Sequence, residues 1–329
     1  MSKIKQKLRT VLNRFASKAD LHSLLAENAR YRARIEDSLV LQAQMLAANY
    51  CQLPADTALG EVEFRAFSQF GEDGILQFLI AKCGIEAHER TFIEFGVECY
   101  EEANTRLLLL KDYWRGMVID ASASNIDLIR SDRLYWRHDL SAVRAWVDRD
   151  NINELLLGAG FSGRVGVLSI DLDGNDYWIL EAIHAVDPVI LVVEWNSVFG
   201  PNFAVSVPYQ RDFDRRAAHY SQQYWGASIC AFELLAARKG YRLIGSNRAG
   251  NNLFFVREDR LGGLPVRSAS EIYVQACFRD SRSESGELTF LSGAKCAEPI
   301  ADLPLVNVRN DLMTSLRALS SSANGAPAT

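Results

Sequence analysis

The chain is short of most of the small motifs that announce a chemistry. Its six cysteines (Cys51, Cys83, Cys99, Cys230, Cys277 and Cys296) form no C-x-x-C pair, which argues against structural zinc. Scattered in this way, they read as small core residues in a reducing compartment. No apolar run approaches the ~20 residues of a membrane-spanning helix. The basic N-terminus lacks the apolar core of a secretion signal. No G-x-S-x-G exists for a serine hydrolase, and the five histidines include no H-x-x-x-H pair. Positive charge is not in excess either: 36 Lys and Arg against 41 Asp and Glu give a net −5. That is a poor balance for a general nucleic-acid binder. These absences lead to the expectation of a cytoplasmic protein, with peripheral contact at the inner face of the membrane as a variant.

What is present is ordinary globular material, 48% apolar and 23% charged over 329 residues. Residues 1–50 stand apart because they contain neither Gly nor Pro. Ile4, Leu8, Val11, Leu12 and Phe15 share one helical face, and Leu21, Leu24, Leu25, Ile35, Leu39, Met45 and Leu46 carry a weaker stripe onward. Lys3, Lys5, Lys7, Arg9, Arg14 and Lys18 make its start basic. Two readings follow for this segment: a helix packing on the main domain or on a second subunit, or an interfacial helix drawn to anionic lipid. Three parts are therefore expected: a helical extension over 1–53, a main domain over 61–260 and a C-terminal extension over 261–329. Ser320–Thr329 is low in complexity and reads as disordered.

The main domain alternates strand-like and helix-like runs. Strands are expected at Thr91–Val97, Gly116–Asp120, Arg133–Asp139, Arg164–Asp171, Pro188–Trp195, Tyr241–Ser246 and Asn252–Val256. Helices are expected at 103–112, 123–131, 141–158, 175–185 and 227–239. Continuous apolar strands in alternation with helices mean a parallel sheet covered on both faces. The five-residue link Asn247–Asn251 is too short for a parallel crossover, so the last two strands form an antiparallel hairpin.

Ligands of open parallel sheets bind at the carboxyl ends of the strands. Here five successive strand ends each deliver an acid: Glu94 with Gly96 and Glu98, Asp120, Asp139, Asp171 with Asp173, and Glu194. Asp and Asn also end strands merely to cap the next helix, but five in series point to a ligand. The edge carries neither a glycine-rich phosphate loop nor a P-loop, which disfavours a phosphate-rich cofactor. Carboxylates favour a cation and hydroxyl donors. S-adenosylmethionine has a sulfonium, an ammonium and a ribose diol, and no phosphate. Asp120 sits where a carboxylate binds a ribose diol, and Gly96 lets the backbone approach the ligand.

The segments Ser68–Gly74 (SQFGEDG), Phe92–Glu98 (FIEFGVE), Asn104–Leu108 (NTRLL), Leu168–Trp178 (LSIDLDGNDYW), Val193–Asn196 (VEWN) and Gly250–Val256 (GNNLFFV) resemble FkbM-like methyltransferases, within the class I S-adenosylmethionine-dependent group. The resemblance spans about residues 64–257. It implies a Rossmann-like α/β fold with a mostly parallel sheet. Its implied cofactor residues are Gln69, Gly71 and Glu72 ahead of the first strand, Glu94 and Gly96 on the methionine part, Asp120 on the ribose, Asp139 near the adenine, and Asp171 closing the pocket. The activity implied is O-methylation of a sugar or glycan hydroxyl. Glu98 departs from the glycine-rich pattern of the cofactor loop. A non-catalytic scaffold docking through residues 1–50 therefore remains an alternative.

Asp171, Asp173, Glu194 and Asn196 offer oxygen ligands of the kind magnesium takes, and a metal there would acidify an acceptor diol. The competing reading has Asp173 and Asp176 capping the next helix. Without a metal, Asp171, Glu194, His138 or His219 would serve as general base. Asp171 and Asp173 also spell a D-x-D triplet, the weak mark of a metal-dependent glycosyltransferase. Finally, Ser197–Trp225 is long for a strand-to-helix link. Its Phe199, Tyr209, Tyr220, Tyr224 and Trp225, with Asn202 and Gln210, suggest an acceptor lid, or else a cover over the sheet edge.

Overall fold

A computed structural model describes residues 18–324 of the chain, with side chains from 22 to 322. The leading apolar stripe from Ile4 to Phe15 and its basic companions lie outside the described residues. The chain splits into two units between Leu46 and Ala47. In the first, Lys18–Ala47 is one 30-residue helix, with Leu24, Leu25, Tyr31, Ile35 and Met45 exposed. Among the described residues, no helix is long and apolar enough to cross a membrane.

The described residues of the second unit hold ten strands: β1 Thr91–Phe95, β2 Arg115–Asp120, β3 Leu140–Arg144, β4 Gly163–Ile170, β5 Val186–Glu194, β6 Val205–Ser206, β7 Tyr241–Ser246, β8 Asn252–Arg257, β9 Leu305–Asn307 and β10 Leu312–Thr314. Seven of them form one sheet in the order β3-β2-β1-β4-β5-β8-β7. β1 to β5 run parallel, and β8 lies antiparallel between β5 and β7. This is the Rossmann-like class I methyltransferase fold, closed by the hairpin the short 247–251 link requires. Strand order reverses between β1 and β4, so the crevice opens at their carboxyl ends.

The central strands are buried on both faces, as helix-covered parallel strands must be: Ile93, Leu168 and Leu191 point into one core, and Phe92, Val167 and Ile190 into the other. Helices fill the crossovers. Ser228 caps the helix Ile229–Arg238 by accepting from the Ala231 N–H, and Ser122 caps Ala123–Ser131 through the Asn125 N–H.

One stretch departs from the sequence reading. Arg133–Arg137 is a helical turn, because Asp132 caps it by accepting from the Leu134 N–H at 2.8 Å. The strand comes later, over Leu140–Arg144, and pairs with β2 along its length. Only Ile152–Gly158 of the expected 141–158 helix is helical, with Asp148 accepting from the N–H groups of Asp150 and Asn151 ahead of it. The link Gly158–Gly163 happens to spell G-x-G-x-x-G. It leads from a helix into β4, at the edge away from the crevice, and so is no phosphate loop.

The C-terminal residues fold where the sequence signal fades. β9 pairs with β6 and β10 in a second, three-stranded sheet. Ile300, Leu305 and Leu316 share a core with Phe199, Val205, Phe213, Tyr224 and Trp225. The helix Leu316–Asn324 includes Ser320–Asn324, which the composition had suggested to be disordered.

Candidate active site

A cavity of about 820 Å³ opens at the carboxyl ends of β1 to β5. Each strand end supplies part of its wall: Glu94 and Gly96, Asp120, Ala145 to Val147, Asp171 to Asp173, and Glu194. A second cavity of about 500 Å³ adjoins it and shares Gln69, Glu194, Arg215 and Asp280.

The loop after β1 is shaped by three left-handed residues, Gly96, Glu98 and Tyr100. Gly96 has φ +72°, and a Cβ there would lie 1.8 Å from the Asp171 carbonyl oxygen. No other residue fits. Glu98, two positions on, also has positive φ, 48°. It takes the backbone conformation that glycine takes readily, and its N–H donates to Asp120 Oδ2 at 2.9 Å. The departure from the glycine pattern thus leaves the loop's path intact. The Asp120 carboxylate also accepts from the Ser122 N–H at 2.7 Å and from Asn125 Nδ2 at 3.1 Å, which fix its position at the end of β2.

Glu94 is buried and acts as a clamp. It accepts from the N–H groups of Asn104 and Thr105, at 2.8 and 3.0 Å, and from the Thr105 hydroxyl. Burial pushes its pKa up to about 7, against those hydrogen bonds. Asp176 plays the same part after β4. It accepts from the Leu172 and Gly174 N–H groups, and burial raises its pKa to about 7. Neither Asp173 nor Asp176 caps the next helix: Asn175 holds the N-cap position without a side-chain bond, and Asp176, the first helical residue, ties down the loop ahead of it.

Asp171 and Glu194 share a hydrogen bond across the ends of β4 and β5. Burial comes first in holding both carboxyls well above the usual range; repulsion from Asp176 and Asp173 adds to it at Asp171, where the hydrogen bond with Glu194 works the other way, and repulsion from Asp171, Asp173 and Asp176 adds to it at Glu194. Both therefore give up their protons at a higher pH than a solvated carboxylate does. Among the described residues no donor reaches Glu194 Oε2, although it is buried.

The segment before β1 behaves differently from expectation. Gln69 lines both cavities, but Gly71 and Glu72 line neither. Glu72 is fully buried and holds the hairpin instead. It accepts from Asn247 Nδ2 and Asn252 Nδ2 at 2.7 and 2.9 Å, and from the Phe70 and Gly71 N–H groups. Asp73 accepts from three successive N–H groups, Ala66 to Ser68. The two acids lock the loop that presents Gln69.

Three more assignments change. Asp139 precedes β3 rather than ending a strand. Its carbonyl accepts from the Gly116 N–H and its carboxylate lies 3.9 Å from Arg115, at the edge opposite the cavity. The shift of β3 toward the C-terminus removes it from any adenine, and His138 beside it goes too, packing on Tyr113. Ala145 to Val147 take that place in the wall. His219 lines neither cavity: its Nδ1 bonds the Ser221 hydroxyl at 2.8 Å and its ring packs on Tyr220. Asn202 and Gln210 also lie outside both cavities. Most aromatics of the 197–225 segment are core, and only Phe199 and Trp225 of those named reach the second cavity.

The magnesium set Asp171, Asp173, Glu194 and Asn196 does not assemble. Among the described residues no three acid, histidine or cysteine side chains are grouped to hold a metal ion. Asp173 sits outward at φ 52° and pairs with Arg215 at 3.3 Å. The Asn196 amide donates to the carbonyls of Gln223 and Trp225 and accepts from the Val198 N–H.

Arg215 escaped the sequence reading altogether. It stacks over Trp225 at 4.7 Å, donates to the Gln222 carbonyl at 2.7 Å, and pairs with Asp173 and with Asp280 at 2.8 Å. Asp280 is 65 residues away, so no local spacing signals the pair. Arg215 lines both cavities and works against the rise at Glu194.

No family model matches the chain, and no curated protein does. Solved structures give limited likeness. An O-methyltransferase from Bacillus cereus in complex with SAH is 14% identical over 67% of this chain and 91% of its own, with a TM-score of 0.38. A putative O-methyltransferase from Klebsiella pneumoniae is 14% identical over 67% and 90%, at 0.35. An O-methyltransferase family protein from Burkholderia thailandensis is 13% identical over 72% and 62%, at 0.33. Likeness at this level adds nothing to the sheet order, which defines the fold by itself.

Proposed function

We propose that the protein is an S-adenosylmethionine-dependent O-methyltransferase whose acceptor is a sugar or glycan hydroxyl. One observation carries this reading: an acid-lined cavity at the switch point meets a second cavity at the Asp171–Glu194 pair. The donor set suits the cofactor. Acids outnumber the two arginines of the first wall, which favours a sulfonium and an ammonium over phosphates. Asp120 is fixed where the ribose diol would lie, and the left-handed Gly96 leaves room for the methionine part.

When bound, S-adenosylmethionine supplies an electrophilic methyl on sulfur. Gln69 and the carboxyl pair orient the acceptor hydroxyl at the seam between the cavities. As the acceptor oxygen forms its bond to the methyl carbon, the carbon–sulfur bond breaks. Glu194 or Asp171, whichever is ionised, takes the hydroxyl proton, leaving a methyl ether and S-adenosylhomocysteine. No metal enters this scheme, since Asp173 and Asn196 are otherwise engaged. The same fact weighs against a glycosyltransferase built on the D-x-D triplet. The sugar class of acceptor rests on the motif resemblance.

Calorimetric titration with S-adenosylhomocysteine tests the reading. Micromolar binding by the wild type, lost in Asp120→Ala, supports it. Wild-type protein that binds none returns the weight to the non-catalytic scaffold.

A further inference from the structure

We propose that the second cavity is the acceptor pocket, and that it selects a neutral polyhydroxylated ring while excluding phosphorylated or carboxylated ones. This deepens the methyl-transfer reading and rests on it. The cavity's size, about 500 Å³, suits one or two sugar rings. Two stretches of chain supply most of its wall. Trp195 to Phe203 follow β5, while Tyr273 to Asp280 and Gly293 to Ala297 belong to the C-terminal extension. The extension is therefore part of the site and not an appendage.

The chemistry of the wall sets the ligand class. Phe199, Tyr273 and Phe278 give it apolar ring surfaces, on which the C–H faces of a sugar pack. The Gln69 and Gln275 amides have no protein hydrogen-bond partner among the described residues, and each both donates and accepts. Trp195 is 1% exposed, and its Nε1 has no partner among the described residues. Hydroxyls complement such groups because they too donate and accept.

Charge decides what is kept out. Arg215 is the one cation among the described lining residues, and it is already paired with Asp173 and Asp280 and donates to the Gln222 carbonyl. The other charged lining residues are Glu194 and Asp280. An anionic acceptor would enter with no unpaired cation to meet it and with the Asp171–Glu194 pair beside it.

The test uses the full chain and saturation-transfer NMR with S-adenosylhomocysteine present. The probes are a panel of neutral methyl pyranosides, glucose 6-phosphate and glucuronate. Neutral glycosides are expected to bind at least tenfold better than the anionic sugars. Gln275→Lys puts a free cation on the wall, and is expected to shrink that preference at least tenfold while cofactor binding by calorimetry stays unchanged. Equal binding of neutral and anionic sugars, no transfer to any neutral glycoside, or an unchanged preference in Gln275→Lys would each overturn the pocket assignment. If the wild type binds no S-adenosylhomocysteine, the methyl-transfer reading falls, and the same ratio measured without cofactor still decides the pocket.

Discussion

The carboxyl of Asp171, one residue past β4, hydrogen-bonds that of Glu194 at the last position of β5. The parallel register that pairs Ile170 with Val193 brings them side by side. Both are held above the ordinary carboxylate range, first by burial, with Asp176 and Asp173 adding to the rise at Asp171 and Asp171 adding to it at Glu194. The pair therefore loses its protons at a higher pH than a solvated acid does.

A pH dependence follows for the methyl-transfer reaction. A base must be ionised, so kcat rises with pH through the raised titration of the pair and then levels. Glu194→Gln removes one member and is expected to lower kcat by about 10²-fold or more, the lower range for a lost general base. The limb that remains belongs to Asp171 alone and is expected to stay above the ordinary carboxylate range, because burial and repulsion from Asp176 and Asp173 persist. A kcat-against-pH profile, with cofactor affinity measured alongside, checks both parts. An unchanged profile removes the pair from the chemistry.

Gly96→Ala places a methyl 1.8 Å from the Asp171 carbonyl oxygen on a backbone at φ +72°. The loop must shift or unfold locally. A loss of roughly 2 kcal/mol or more is expected, together with loss of S-adenosylhomocysteine binding. Urea unfolding and calorimetry read the two effects.

Glu98→Gly has the opposite sign. Glu98 holds a left-handed conformation, φ 48°, at a steric cost of roughly 1–2 kcal/mol that glycine avoids. The greater freedom of glycine in the unfolded chain offsets about 0.4–1 kcal/mol of that gain. A net stabilisation of up to about 1 kcal/mol is expected, with cofactor affinity retained, since the bond to Asp120 comes from the backbone N–H. Weaker cofactor binding in this variant would show that the Glu98 side chain itself touches the ligand.

Glu94 gives a stability test. Its pKa is raised to about 7 in the fold, so the folded state holds its proton more tightly than the unfolded chain. That contribution is fully present below the ordinary carboxylate pKa and is lost as pH rises through about 7. The span corresponds to roughly 3 kcal/mol. Glu94→Gln cannot titrate, and its amide misplaces a donor against the Asn104 and Thr105 N–H groups. The variant is expected to be less stable at pH 5, with the gap closing toward pH 8. Denaturant midpoints across that range decide it, and a gap independent of pH would contradict the raised pKa.

Much of this was legible in the residues because it is local. The apolar runs set the strands, the five-residue link forced the hairpin, and the acids at strand ends marked the edge where the cavity lies. β3 was misplaced because Arg133–Arg137 carries apolar and aromatic residues that suit a strand. The capping bond from Asp132 to Leu134 made it a helical turn. With that shift Asp139 left the site, and Ala145 to Val147, which look like nothing in the sequence, entered it.

The sequence by itself determined the class of fold and the acidic character of one sheet edge, since both follow from periodicity and from which residue follows each strand. Only the tertiary structure decided how each acid is used. Glu72, Asp73 and Asp176 tie down loops, Asp173 pairs with Arg215, and Asp171 and Glu194 face each other across the seam. The reason is distance along the chain. Glu72 meets Asn247 across 175 residues and Arg215 meets Asp280 across 65, and partners so far apart are chosen by packing rather than by spacing.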